Sequence, residues 1–307
     1  MASILTNTSA MTALQGLNAV IMQLNKTQTH ISTGLRVGSA EDNAAYWSIA
    51  TTMRSDNSAL STVKDALGLG AAMIDVSYTG VNSAIDAAKQ IKDKLVAARQ
   101  PGVDRTKIQS EITQLQKQLK SIADSSVFSG ENWISVDSSS PNYNATRSVV
   151  SSFSRTGTAI SIGTITIATA STKLYDAADQ SGILDKTDVT ANGGVTYSAT
   201  TLDISTLTDS ANDEQDLEQM IGWVDKAIGN MTNSAADLGA VKQRVSLQQD
   251  FVKTLMDAVQ RGIGTLVDAD MSEESTKLAA LQVQQQLGVQ SLSIANQNNQ
   301  NILSLFK

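Results

Sequence analysis

Cysteine is absent from the 307 residues, and histidine occurs once, as His30. Without cysteine the chain cannot form disulfides, thiolate metal sites, iron–sulfur clusters or a cysteine nucleophile. A histidine-rich metal centre or a Ser–His–Asp relay would have to depend on His30, which we expect to be a packing or capping residue. The sequence therefore predicts no catalytic residue, no metal site and no cofactor, and we interpret the protein as a non-enzyme.

Proline and charge are also scarce. The only prolines are Pro101 and Pro141, so residues 1–100 and 142–307 permit very long helices. Charged residues make up 17% of the chain, where about 25% is usual. The net charge of −7 disfavours a phosphate-binding surface, so we expect no nucleic-acid partner. No run of about 20 apolar residues and no cleavable secretion signal is visible, so we expect no membrane insertion.

Charge is missing altogether from two stretches at the ends of the chain. Lys26 is the first charged residue, and residues 278–306 contain none. Both stretches keep a helical apolar stripe, with a seven-residue spacing near the N-terminus that indicates a coiled-coil seam. The candidate assembly-interface residues on these stripes are Leu14, Leu17, Ile21, Leu24, Ile31, Leu35, Leu292, Ile302, Leu303 and Phe306.

The other side chains in these two stretches are mostly Ser, Thr, Asn and Gln. Such groups enter an interface without the cost of removing an ion from water. We therefore predict that the two ends face neighbouring copies of the chain. The alternative is that they are the buried helices of a single subunit, and each candidate residue fits an intramolecular core equally well.

Between the ends, the pattern is first helical and then strand-like. Gly34 is predicted to end the first helix, and Ser39 to cap the second with acidic residues in its first turn. A third helix, opened by a capping box from Thr106 to Gln109, should fold back on its predecessor because the connection is short.

Residues 134–210 show period-two alternation. Residues 160–167 predict a strand pair or one strand with a bulge at Gly163. Further strands are predicted at residues 195–197 and at Leu202 and Ile204, around the Asn192-Gly193 turn.

This pattern predicts a mainly α fold. The N- and C-terminal helices would form a long antiparallel helical rod, coiled-coil-like, with a small β-rich inserted outer domain. We assign residues 1–56 and 245–307 to a terminal coiled-coil core and residues 57–133 and 211–244 to a helical rod domain. Residues 134–210 form the variable outer domain. An asymmetric interface between such chains propagates as a helical fibre.

Two segments carry a resemblance to bacterial flagellins, of the α-proteobacterial type. Residues 31–50, ISTGLRVGSAEDNAAYWSIA, resemble the N-terminal signature of that family, and residues 293–307, SIANQNNQNILSLFK, resemble its C-terminal ending. The similarity covers about residues 1–135 and 215–307. One departure is Tyr46-Trp47, where the family usually has glycine followed by an aliphatic residue.

The resemblance implies a structural subunit of the motility filament that is secreted unfolded through the flagellar type III apparatus. It also implies a homopolymer of flagellin subunits outside the cell, an export chaperone, a filament cap and hook-associated proteins as partners. We expect the terminal helices to order on assembly. The alternative function is that of a hook–filament junction protein.

One helical segment departs from the family in a way that bears on host recognition. The resemblance places this segment where many flagellins carry an Arg-rich stretch that the flagellin-sensing Toll-like receptor binds, and Gln90 replaces its central Arg. Loss of a planar bidentate donor predicts weak or absent recognition. The altered segment consists of Lys89, Gln90, Ile91, Lys92 and Asp93.

Overall fold

The computed structural model describes the backbone of residues 7–141 and 143–304 and the side chains of residues 7–141 and 143–297. The helices in this part of the chain are α1 (Thr8–Thr33), α2 (Ala44–Ala98), α3 (Arg105–Ser125), α4 (Ala211–Val267) and α5 (Met271–Ser304). The strands are β1 (Val127–Phe128), β2 (Glu131–Asn132), β3 (Ser135–Val136), β4 (Thr146–Thr156), β5 (Ala159–Ala168), β6 (Tyr175–Asp176), β7 (Asp188–Val189) and β8 (Thr196–Tyr197).

The predicted fold class is confirmed: the protein is mainly helical, with long terminal helices and a small strand-containing region. Among the described helices, none has the apolar length required to cross a bilayer. The chain divides into two compact units, unit 1 (Met1–Ser58 and Met256–Lys307) and unit 2 (Ala59–Leu255). The three-part division drawn from the sequence remains a prediction.

Two ion pairs show how α2 and α4 run relative to each other within unit 2. Lys92 Nζ lies 2.5 Å from Asp225 Oδ1, and Lys242 Nζ lies 2.6 Å from Asp75 Oδ1. Residue numbers therefore rise along α2 as they fall along α4, so the two helices are antiparallel. Their shared core is apolar and includes Leu67, Ile74, Val81, Leu95, Leu217, Val224, Leu238 and Val245.

Helix α3 returns along α2, as predicted from the short connection. Lys94 Nζ and Glu111 Oε2 are 2.5 Å apart near one end of the pair. Near the other end, Gly80 of α2 lies directly against Ser126, the residue that follows α3. A side chain larger than hydrogen at position 80 would overlap the Ser126 side chain.

The predicted capping box at the start of α3 is wrong. The N-cap is Asp104, two residues earlier than Thr106, and its Oδ1 accepts a hydrogen bond from the Lys107 amide at 3.3 Å. Gln109 instead reaches a distant loop, where its Nε2 donates to the Leu202 carbonyl at 3.1 Å and its Oε1 accepts from the Ile204 amide at 3.0 Å. The side chain that the pattern assigned to a cap therefore holds the strand-containing region against α3.

The strand predictions are confirmed in part. β4 and β5 form an antiparallel hairpin, and residues 159–168 are one strand rather than a pair. The bulge lies on the partner strand, because Val150 pairs with Thr164 and Ser152 with Gly163, which leaves Ser151 as the extra residue. β7 and β8 pair around the predicted turn at Asn192. Leu202 and Ile204 are fully buried but lie in a loop, so that strand prediction is wrong.

In unit 1, α1 ends as predicted and α2 begins later than predicted. Gly34 adopts the left-handed conformation at φ +72°, and its amide donates to the His30 carbonyl at 2.8 Å. Ser39 does not cap α2. Asn43 does so, since its Oδ1 accepts from the Tyr46 amide at 3.1 Å. Asp42 Oδ2 accepts from the amides of Gly38 and Ser39 in the preceding turn.

Candidate assembly interface

Helices α1 and α5 of unit 1 bring the two uncharged stretches together. Near the start of α1, Asn7 Nδ2 donates to the Ala295 carbonyl at 3.0 Å. Leu17 lies so close to Gly288 that a Cβ there would be 3.1 Å from Leu17 Cδ1. His30, near the end of α1, meets Glu274 in the first turn of α5. The two helices are therefore antiparallel, and they pair from His30 and Glu274 at one end to Asn7 and Ala295 at the other.

The inner residues of α5 alternate steps of four and three. They are Glu274, Leu278, Leu281, Gln285, Gly288, Leu292 and Ala295. This alternation is the spacing of a coiled-coil seam, in which apolar residues recur every 3.5 positions. The seam is thin at its centre, because Gly288 allows the backbone of α5 to approach Leu17 closely.

The structure places five of the ten predicted interface residues on this seam. Leu24 is buried, whereas Leu17, Ile21, Ile31 and Leu292 are half-buried. Leu35 lies beyond α1 and packs against a cluster of Val37, Ala50, Ile263 and Val267.

Leu14 differs from the other predicted residues, since 47% of its surface is exposed. The Ile302 and Leu303 side chains and all of Phe306 lie outside the described residues. The α1–α5 seam thus accounts for part of the predicted set, while Leu14 faces outward.

A buried polar pair closes the end of the seam next to the α4–α5 connection. His30 Nδ1 and Glu274 Oε1 are 2.9 Å apart, and both side chains are about nine-tenths buried. The hydrogen bond with His30 holds the pKa of the Glu274 carboxyl below its ordinary value, although burial acts in the opposite direction. Thr27 is buried one turn before His30. His30 therefore packs and pairs within the subunit, as expected for a structural residue.

The outer faces of the same helices also carry large apolar side chains. Those of Met11, Leu14, Met22, Val283, Leu287, Val289 and Ile294 are between 47% and 67% exposed. Sequence reasoning missed all of them except Leu14. The signal was present on α5, where Val283, Leu287 and Ile294 are separated by four and then seven residues, which defines a second stripe.

This arrangement is suited to association rather than to chemistry. The seam is occupied inside the subunit, and the outer faces combine apolar side chains with an absence of charge over most of α5. Contiguous exposed apolar surface marks interaction sites in soluble proteins. A neighbour that covers these faces, away from Lys26 and from residues 273–277, removes apolar area from water and desolvates no ion.

The altered receptor segment lies on α2 in unit 2. Lys89, Gln90 and Asp93 are exposed, Ile91 is buried in the helical core, and Lys92 forms the ion pair with Asp225. The exposed surface at Gln90 therefore offers a neutral amide where an Arg would offer a planar cation.

Comparison with known proteins identifies two regions of one family. The model of the bacterial flagellin N-terminal helical region matches residues 4–138, and that of the bacterial flagellin C-terminal helical region matches residues 221–306. Strands β4 to β8 lie between the two matched regions.

Relatives are similar along their whole length. Flagellin C of Rhizobium meliloti (strain 1021) is 48% identical over 326 aligned positions. Flagellin A of Rhizobium meliloti is 41% identical over 397 positions, and a flagellin of Brucella melitensis biotype 1 is 42% identical over 308 positions. Each alignment covers 100% of both chains.

Proposed function

The chain belongs to the bacterial flagellin family, and from this premise we propose that the outer faces of α1 and α5 are its assembly surface. Flagellins are structural subunits of the bacterial flagellar filament, so the chain is a filament subunit that polymerises with other flagellin subunits. The names of the relatives do not favour the hook–filament junction as an alternative.

The observation that carries this proposal is the exposed apolar surface on a helix pair whose charged residues lie only near one end, at Lys26 and at residues 273–277. Seven large apolar side chains remain exposed after α1 and α5 have paired. In a filament these side chains would pack against neighbouring copies, as would the apolar residues at 302–306. Each square ångström of apolar surface that is buried contributes about 25 cal/mol. Assembly is therefore expected to add order to the terminal helices, because α1 buries only three residues in the single subunit.

Seeded elongation tests the proposal directly. Purified monomer is mixed with short filament seeds, and growth is followed by sedimentation and electron microscopy. We expect the full chain to elongate the seeds and a chain lacking residues 1–35 to fail, because the truncated chain has lost α1. Equal growth by the truncated chain would remove α1 from the assembly surface. A junction protein would add one layer and stop.

The remaining partners follow from the route that a filament subunit takes. We propose that the chain is secreted through the flagellar type III apparatus with an export chaperone on its C-terminal segment. The filament cap and hook-associated proteins would be its contacts at the two ends of the growing polymer. Truncation from residue 278 onward should abolish co-purification with the chaperone, while truncation of residues 1–35 should leave it intact.

We also propose weak or absent recognition by the flagellin-sensing Toll-like receptor. The exposed amide of Gln90 cannot form the two parallel hydrogen bonds that an Arg offers. Purified monomer should trigger a receptor reporter cell poorly, and the Gln90→Arg variant should trigger it more strongly. A wild-type monomer of ordinary potency would contradict the proposal.

A further inference from the structure

The first three turns of α2 are as free of charge as the ends of the chain. Residues 43–53 contain no Asp, Glu, Lys or Arg. Within this stretch Tyr46 is 41% exposed, Trp47 is 37% exposed and Ile49 is 50% exposed. Three large apolar side chains within one turn of the helix thus keep between about a third and a half of their surface in contact with water.

The subunit itself uses only one side of this segment. Ala50 is fully buried in the cluster with Ile263 and Val267, and Met53 packs beside it. At 100° per residue, Trp47 and Ile49 lie on the two flanks of the face that carries Ala50. Their exposure therefore follows from the helix geometry and is not relieved by a neighbouring element of unit 1.

The aromatic side chains have no specific partner within the described residues. Neither ring stacks on another ring or takes a cation, and neither the Tyr46 hydroxyl nor the Trp47 indole N–H forms a hydrogen bond. The nearby carboxylate of Asp42 is already paired with Lys26 Nζ at 2.9 Å. Tyrosine and tryptophan are enriched at the centre of protein interfaces, where each buries a large area at low entropic cost.

We propose that Trp47, with Tyr46 beside it, is a contact to a second copy of this chain in the filament. This inference rests on the proposed function and adds a second patch, on α2, to the surface of α1 and α5. A second copy is the fitting occupant because the patch has the neutral, apolar character of the outer faces of α1 and α5 in the same unit. Residues 43–53 contain no charged side chain that could pair with a partner recognised by its charge.

The contact also bears on which subunits assemble together. Where a flagellin has glycine followed by an aliphatic residue in place of Tyr46-Trp47, it lacks both rings. In a mixed polymer, each contact for which such a subunit would have to supply the two rings is missing. We expect Trp47 to favour polymers of this chain over mixtures with such subunits.

Fluorescence of Trp47 in monomer and polymer tests the contact. The double variant Trp133→Phe, Trp223→Phe leaves Trp47 as the only indole. On seeded polymerisation its emission should shift to shorter wavelength, and quenching by acrylamide should fall about threefold or more, as burial excludes the quencher. If the double variant does not fold, the difference between wild type and Trp47→Phe gives the same signal.

Elongation kinetics give the energetic test. Trp47→Ala should raise the critical concentration for elongation at least about tenfold, the effect of losing an interface anchor. Because 37% of the Trp47 side chain is exposed and the rest is covered within the subunit, the thermal unfolding of the variant monomer is measured as well, and elongation is compared at a temperature where both monomers are folded. Ile162→Ala, which removes a side chain 62% exposed on β5, is the matched control and should elongate like wild type.

The outcomes separate this inference from the proposed function. If the wild-type chain forms no polymer, the proposed function fails. If it polymerises while Trp47 stays as accessible as in the monomer and Trp47→Ala elongates normally, the α2 contact is overturned and the proposed function stands. A Trp47 that is already shielded in the solitary subunit would overturn the contact as well.

Discussion

Two glycines of α2 differ in what surrounds them. A Cβ at Gly80 would overlap the side chains of Ser126 and Ile134, whereas nothing lies within 4 Å of one at Gly68. We predict that Gly80→Ala lowers the free energy of unfolding by about 1–3 kcal/mol through overpacking. Gly68→Ala should raise it by about 0.5–1 kcal/mol, because alanine loses less backbone entropy in a helix. Urea unfolding measures both, and a loss of equal size at the two positions would contradict the close approach of α2 to Ser126.

The pairing of Glu274 with His30 predicts an acid-sensitive α1–α5 seam. The pKa of Glu274 is lowered from an ordinary 4.5 in the folded state. Its contribution is therefore present above about pH 4.5 and is lost as the pH falls through the folded value. A hydrogen bond to a charged group contributes about 1.5–3 kcal/mol. We predict that the acid transition seen by circular dichroism is shallower in Glu274→Gln than in wild type.

A neighbouring residue supplies the control for this pH effect. Glu273 lies in the same first turn of α5 but is exposed. Glu273→Gln should keep the wild-type acid transition. If both variants titrate alike, the acid sensitivity of the chain does not come from the buried pair.

At the scale of a helix, α1 separates packing from assembly. Leu24 is 8% exposed on the inner seam and Leu14 is 47% exposed. We predict that Leu24→Ala lowers both the helix content of the monomer and seeded growth, because it opens a cavity that costs about 2–5 kcal/mol. Leu14→Ala should reduce seeded growth and leave the helix content near that of wild type. Circular dichroism and sedimentation measure the two effects, and similar changes in the two variants would mean that Leu14 is an ordinary core residue.

Some elements were readable from the sequence because their determinants are local. The seven-residue apolar spacing and Gly34 predict the extent of α1, and both signals depend on neighbours a few residues away. The start of α3 has a local determinant, the N-cap Asp104, but it also depends on a contact that is distant in sequence. Arg105, its first residue, is buried, donates from Nε to the Ala98 carbonyl at 3.1 Å and pairs with Asp209 at 2.9 Å. A partner more than 100 residues away helps to fix that terminus, and no local pattern records it.

The loop at Leu202 shows why a strand pattern failed. Its apolar alternation is real, and Leu202 is buried, but Gln116 Nε2 donates to the Leu202 carbonyl at 2.9 Å alongside Gln109. A buried backbone group needs a hydrogen-bond partner, and side chains of α3 supply it here in place of a strand. The assembly interface gives a similar result. Its inner stripe was readable from the sequence, but the outward face of α1 depends on where α5 lies, more than 240 residues along the chain.

Across the molecule as a whole, the described helices differ in the fraction of their residues that is buried. The buried residues of α1 are Leu24, Thr27 and His30, three in a helix of 26 residues. α3 buries five of its 21 residues. Helices with few buried apolar contacts open at low free energy, whereas those of a packed core open only with global unfolding. In the solitary subunit α1 should therefore be among the least protected of the described helices.

Hydrogen exchange tests this difference in both states of the chain. In the monomer, amides of residues 8–33 should exchange at least about tenfold faster than those of residues 81–95, where the core residues of α2 recur. In the filament, neighbouring copies bury the outer face of α1, so exchange at residues 8–33 should slow by a larger factor than at residues 81–95. If α1 is already as protected as α2 in the monomer, and polymerisation adds nothing there, its outer face is not part of the assembly surface.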